Sequence, residues 1–307
     1  MSDFTFLTIE QIFGSYPIDV IKKRGTRAAI TDFSVILGGF VYDYEHVNGD
    51  TYLEGRTGLY WTTAAEDGNL LVVDYHGNCV YRLVYSRYGG ARPALPFSSI
   101  GSIPTNGESG KKARDGVLEV EYGYYPQQAV PRDTQERLEQ AYRRGNISKT
   151  RNTYTTDSEK YDAYSRPFKA KTHQEYEYNG KRYVRVEVNS FFEGGAFILS
   201  NGEQYRNGDN VWVEVEPVKW LVDERERMMI TEKIIFAGVQ FNKEGNYHTK
   251  DFDRTDIKTF MDRYLSRDLV QPRGIGQQSQ TMATSTTTRN ENPYNLEFDE
   301  VGEQDII

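Results

Sequence analysis

Residues 60–97 read YWTTAAEDGNLLVVDYHGNCVYRLVYSRYGGARPALPF. Leu70 to Tyr75 and Val80 to Tyr85 are rich in β-branched and aromatic residues, and His76-Gly77-Asn78 supplies turn chemistry between them, so the stretch predicts a β-hairpin. In the second run Tyr81, Leu83 and Tyr85 share one face, and Val80, Arg82 and Val84 share the other. Gly89-Gly90 lets the chain bend, and Pro93 restricts the adjoining residues to an extended path or a sheet edge. The small residue Cys79 inside this pattern reads as a buried strand residue.

Working outward, the C-terminal side is also β-rich. Residues 117–122 alternate as a strand, and residues 133–144 form an amphipathic helix stopped by Gly145. EYEY-Asn179-Gly180-RYVRVEV carries the strongest hairpin signal of the chain. Ser200-Asn201-Gly202 marks a turn, Val211, Val213 and Val215 alternate along a half-buried strand, and residues 223–226 join the Trp220 and Met229 strands. Ile257, Phe260, Met261, Tyr264 and Leu265 form the apolar stripe of a helix over 255–266, capped by Asp253 or Thr255. Toward the N-terminus, Thr8 and Gln11 have capping-box spacing for a short helix ending at Gly14, and a second helix is expected over 25–37. Residues 42–58 read as a polar, Tyr-rich loop and 101–116 as a linker. In residues 146–172 Lys149, Arg151, Lys160, Arg166, Lys169 and Lys171 are interleaved with Tyr154, Tyr161 and Tyr164, a pattern that can bind single-stranded nucleic acid, but Asp157, Glu159 and Asp162 dilute the charge, so the segment reads as a long solvated polar insertion.

Composition narrows the function classes. A chain of 307 residues with 37% hydrophobic and 13% aromatic content can bury a sizeable core, and 23 tyrosines and 15 phenylalanines suit a β-rich fold. A net charge of −8 argues against nonspecific nucleic-acid binding. One cysteine excludes an intramolecular disulfide. No basic n-region and no 18-residue apolar span are present, so the expectation is a cytoplasmic protein, or a virion protein if phage-encoded. Residues 271–290 read as a flexible linker, and 291–307 carry six acidic and no basic residues around Tyr294, Leu296 and Phe298, the pattern of a disordered acidic tail that orders on a partner.

The order aromatic-Trp61, polar loop, hairpin, then Ala91-Arg92-Pro93-Ala94-Leu95 resembles the C-terminal core of the DUF6273 group, within the C-type-lectin-like, formylglycine-generating-enzyme-like folds. Thr62-Thr63-Ala64 stands where that family usually has Arg-Ser-Pro. Residues 216–222 (EPVKWLV), 229–235 (MITEKII), the helix at 256–265 and Gly123-Tyr124-Tyr125-Pro126-Gln127 are similar to the family's N-terminal half, but here they come after the other elements. The resemblance therefore implies a circularly permuted chain of bacterial or phage origin. It also implies an α+β, C-type-lectin-like fold with antiparallel sheets, short flanking helices and long loops, ending in a flexible tail. Residues 1–100 and 117–270 would form one composite domain. The tail also faintly resembles the lead-in to an AAA+ ATPase module.

For chemistry, the four histidines are isolated, the cysteine pair of a copper site is absent, and no EF-type loop surrounds Asp251, Asp253 and Asp256, so neither a catalytic constellation, a metal site nor a cofactor is expected. The functional expectation is a non-catalytic lectin-like module that binds a protein or glycan. Its candidate contact residues are Tyr42, Tyr44, Tyr60, Arg87 and Tyr88, because Tyr and Arg most often carry interface energy. Trp61, Tyr81 and Arg92 read as core and exit residues instead. The alternative is an assembly or adaptor subunit acting through its C-terminal tail.

Overall fold

The computed structural model describes residues 4–41, 56–66, 69–83, 89–99, 111–113, 115–157, 169–189, 196–242 and 251–270. The fold is mixed α+β and strand-rich, with largely antiparallel sheets and short helices. Five strands make the first sheet: β1 (Tyr60–Glu66), β2 (Asn69–Val73), β3 (Cys79–Leu83), β4 (Gly90–Ala91) and β15 (Phe236–Ala237), in the order β15-β4-β1-β2-β3. The expected hairpin is its β2–β3 pair, in register from Asn69–Leu83 to Val73–Cys79. Asp74 holds the turn, its Oδ1 accepting from the backbone N–H groups of His76 at 2.9 Å and Asn78 at 2.8 Å. Cys79 is exposed rather than buried, and so is Tyr81, because β3 is an edge strand whose outer face carries no second layer among the described residues.

The larger sheet is organised on β13 (Asn210–Asp223), a 14-residue strand. One edge of β13 pairs with β7 (Leu118–Ala129), and the other with β10 (Lys181–Glu187) and then β14 (Met228–Thr231). Beyond β10 lie β9 (Ala170–Tyr178) and β8 (Ser148–Asp157); beyond β14 lies β5 (Ala94–Pro96), while β6 (Lys111–Lys112) adds to β7. A separate small hairpin joins β11 (Phe197–Ile198) to β12 (Gln204–Tyr205). The β9–β10 turn obeys its sequence: Asn179 and Gly180 both have positive φ, 51° and 75°, as a type I′ hairpin requires. Pro217 cannot donate to the ladder, and the β7–β13 register shifts between it and Lys219.

The Arg-Pro-Ala-Leu exit passes from one sheet to the other. Gly90–Ala91 belongs to the first sheet, and Ala94 and Leu95 pair with Ile230 and Met229 of the second. A Cβ at Gly89 would lie 2.2 Å from the Trp61 ring and one at Gly90 2.2 Å from Ile234, so the close approach of the strands needs both glycines. Arg92 is buried at the crossing, with Nε donating to the Thr231 carbonyl at 3.0 Å and its guanidinium over the Tyr60 ring. One hydrophobic cluster runs from Phe4 to Leu269 and draws on both sheets.

Among the described residues, six short helices flank the sheets. α1 (Ile9–Phe13) has the reciprocal capping box of Thr8 and Gln11 and ends at Gly14. The helix expected over 25–37 is instead two: α2 (Asp19–Arg24) and α3 (Asp32–Ile36). Gly25, at φ 79°, ends the first, and Thr31 caps the second. Between them Ala29 and Ile30 bridge Thr57 and Ile234, so sheet-like pairing overrides the helical pattern. α4 (Arg132–Arg143) comes directly after β7. The C-terminal helical segment is α5 (Asp256–Phe260), capped by Thr255, then a π-helical turn at Met261–Leu265, then α6 (Ser266–Leu269).

The expected polar insertion at 146–172 is corrected in its first part. Residues Ser148–Asp157 are a strand of the large sheet, and Tyr154 is buried edge-on against Tyr125. Threonine-rich runs suit strands, which the polarity of the segment concealed. Residues 158–168 lie outside those described, as do 101–110 of the linker expected over 101–116, most of the 42–58 loop and the tail from 271 on; the end of that linker is corrected, since Lys111–Lys112 pair with β7 as β6. Among the described residues no helix is long and apolar enough to cross a membrane.

Candidate functional site: a polar cleft beside helix α4

The amphipathic sequence of α4 buries Leu138 and Ala141 and leaves a charged outer face laced by i,i+4 pairs, Arg132–Glu136 at 3.2 Å and Arg137–Asp133 at 2.8 Å. Leu138 packs on Val130, Tyr176, Tyr183 and Trp212, a small core separate from the main one. Gln135 fastens the helix to β13: its Nε2 donates to the Trp212 carbonyl at 2.8 Å and its Oε1 accepts from the Trp212 N–H at 2.8 Å. Both backbone groups of a buried residue are thereby satisfied by one side chain.

Between α4 and the β10–β13 surface lies a cleft of about 530 Å³. Glu139 is its electrostatic centre. One carboxylate oxygen accepts from Arg185 Nε at 2.9 Å and Trp212 Nε1 at 3.2 Å; the other accepts from Arg143 Nε at 3.0 Å and Arg185 Nη2 at 3.2 Å. The Arg185 hydrogen bonds, aided by Arg143 and Trp212, hold the Glu139 carboxyl below the usual carboxylate range against the opposing effect of burial. Arg185 also donates through Nη1 to Asn210 Oδ1 at 2.8 Å and stacks on Tyr142, 5.1 Å from the ring centroid. Gln140 and Arg143 on the helix face Asp209 and Asn210 on the strand side. A carboxylate with four donors and a lowered pKa is poorly suited to accept a proton at neutral pH. The cleft offers shape and hydrogen bonding instead.

A second arginine–carboxylate pair uses the same strand on its opposite face. Arg182 lies 3.7 Å from Glu175, which is fully buried and also accepts from Thr150 Oγ1 at 2.9 Å, Asn152 Nδ2 at 3.2 Å and the Tyr154 hydroxyl at 2.7 Å. Arg182 stacks on Tyr124 at 4.6 Å. This pair is sealed in the core and has no opening to a ligand.

Of the contact residues expected from sequence, Tyr42, Tyr44, Arg87 and Tyr88 lie outside the described residues. Tyr60 is corrected: it is 1% exposed, and its hydroxyl donates to the Thr26 carbonyl at 2.6 Å, so it presents no binding surface. Trp61 and Arg92 are core residues, as their sequence context indicates. The sequence shows α4 and the β9–β10 hairpin but not the cleft, because Glu139 and Arg185 are 46 positions apart and meet only through tertiary packing. The available signal was a polar Glu139–Arg143 face on a helix next to a hairpin whose arginines alternate between faces.

Asp251 caps the turn at Phe252–Arg254 through the Asp253 N–H at 3.1 Å, and Thr255 caps α5, which accounts for the acidic run there. Among the described residues no three His, Cys, Asp or Glu side chains converge on a metal-sized site. No protein-family model, curated protein or solved structure matches the chain.

Proposed function

We propose that the chain is a non-catalytic binding module that recognises a protein or glycan partner in the α4 cleft. The observation that carries this reading is an open polar cleft whose walls keep donors in reserve. Gln140, the outer nitrogens of Arg143 and the Asn210 amide nitrogen remain unengaged by the described residues after the Glu139–Arg185 pair is made. The Glu139–Arg185 pair at the floor fixes Arg143 through Glu139 and Asn210 through Arg185, which limits the reorganisation of those two groups on binding. The body that presents the cleft is, in this reading, a circularly permuted C-type-lectin-like fold. In its support, the Arg-Pro-Ala-Leu strand and the MITEKII strand, far apart in sequence, lie side by side as β5 and β14.

Filling the cleft tests the assignment. Gln140 is exposed, so Gln140→Trp can be accommodated without disturbing the core. Wild type and variant, applied to a glycan array and to native lysate, should differ by loss of the bound species in the variant. Identical recovery from both would remove the cleft from consideration. The tail-based adaptor reading concerns residues outside those described.

A further inference from the structure

We infer that a second cleft, set beside a bulge of β7, binds a primary ammonium group. In the β7–β13 ladder Val213 faces Ala129 and Val215 faces Pro126, so Gln127 and Gln128 together oppose Glu214 alone. A bulge of this kind re-aims side chains out of the regular alternation. Here the Gln127 amide folds back over β13, its Nε2 donating to the Pro217 carbonyl at 2.7 Å and to that of Glu216 at 3.3 Å. The cleft beside it measures about 260 Å³, and its walls include Gln128, Glu216, Pro217 and Lys233, with Glu121 and Glu232.

Glu216 and Gln128 form an acceptor pair that lacks a donor. The Gln128 N–H donates to the Glu216 carboxylate, which brings the two residues together. Gln128 Oε1 is buried and has no hydrogen-bond partner among the described residues. Glu216 is half-buried, and burial, then the like charge of Glu214, raises its carboxyl above the usual range. Lys233 and Lys181 oppose that rise through charge alone, and the Gln128 N–H opposes it as a donor, without prevailing. The other carboxylates of the cleft are placed differently. Glu232 lies 3.6 Å from Lys219 and 3.9 Å from Arg24. Glu121 faces Lys219, three residues along β13 from Glu216, roughly 10 Å at ~3.3 Å per residue. That spread agrees with the lack of a metal-sized convergence among the described residues. A half-buried carboxylate beside an amide oxygen without a donor calls for positive charge and N–H donors on one atom, which an alkylammonium supplies. Pro217, next to Glu216 in the wall, offers an apolar surface to its stem.

Titration of the full chain with n-butylammonium tests this, followed by the NMR signals of the Gln128 side-chain amide and the Glu216 carboxyl carbon. Saturable shifts of both are expected, with the Glu216 titration moving to lower pH. Tetramethylammonium at equal ionic strength, with the same charge but no N–H donor, should produce neither. Glu216→Gln, which keeps the size of the side chain, and Gln128→Met should each weaken binding about tenfold or more. Lys233→Gln, which removes a competing positive charge, should tighten it roughly threefold. Within a positive result, binding of Nα-acetyl-lysine amide would assign the ammonium to a protein lysine, and its exclusion would assign it to a free amine. No saturable shift with n-butylammonium, equal shifts with tetramethylammonium, or binding unchanged in both Glu216→Gln and Gln128→Met would overturn the proposal.

Discussion

Arg182 and Arg185 stand three residues apart on β10, each stacked on a tyrosine and each facing a glutamate, yet their surroundings differ in one respect. The Glu175 side chain is 0% exposed, whereas that of Glu139 keeps 25% of its surface at the rim of a cleft. The inner pair is enclosed by Thr150, Asn152 and Tyr154, which use up its hydrogen-bonding capacity. The outer pair leaves neighbours with donors to spare. The same chemistry thus serves cohesion on one face of a strand and, in the proposed reading, recognition on the other. Burial, not residue type, decides which.

The largest effect should come from breaking the inner pair. Glu175→Gln leaves Arg182 without a counter-charge in the core and should cost about 3–5 kcal/mol, measured by denaturant unfolding. Replacing both partners, Glu175→Met with Arg182→Met, should cost less than either single change, because no charge is left stranded. A loss in the double variant equal to the sum of the two single losses would show that the two side chains are not coupled.

Next in size is the acid response of His173, buried beside Thr156 and depressed to about 4, chiefly by burial and then by Lys171. The unfolded chain takes up a proton near pH 6.5, whereas the folded chain resists until about pH 4. Stability is therefore complete above pH 6.5 and declines toward pH 4, by about 3 kcal/mol in all. His173→Gln should flatten that limb of the stability profile, and an unchanged slope would assign the acid response to other groups.

The outer pair should be the weakest structurally. Glu139→Gln should cost about 1 kcal/mol, reduced further by salt, since both partners are partly exposed. Its lowered carboxyl contributes stability above the unfolded carboxylate range and loses it as the pH falls through the folded value. A loss as large as that of Glu175→Gln would erase the distinction between the two faces.

Local signals in the chain were enough for the β2–β3 and β9–β10 hairpins, the Thr8 capping box, α4 and the Thr255 cap, since each depends on neighbours within a few residues. The failures were non-local. Ala28 to Ile30 carry a helical pattern but bridge Thr57 and Ile234, and Ser148 to Asp157 look solvated until Tyr154 and Glu175 meet in the core. Tyr60 looked like a surface aromatic because nothing in its neighbourhood reveals that Arg92 and Thr26 enclose it. The cleft escaped for the same reason: its two walls belong to segments that read correctly but whose meeting is set by β13, the strand between them.

The most direct test of the division between the two faces is a paired measurement on Gln140→Ala/Arg143→Ala in the full chain: partner recovery and melting temperature. Both side chains are exposed, so the melting temperature should stay within about 2 °C of wild type while recovery collapses. Undiminished recovery would contradict the assignment of recognition to the α4 cleft.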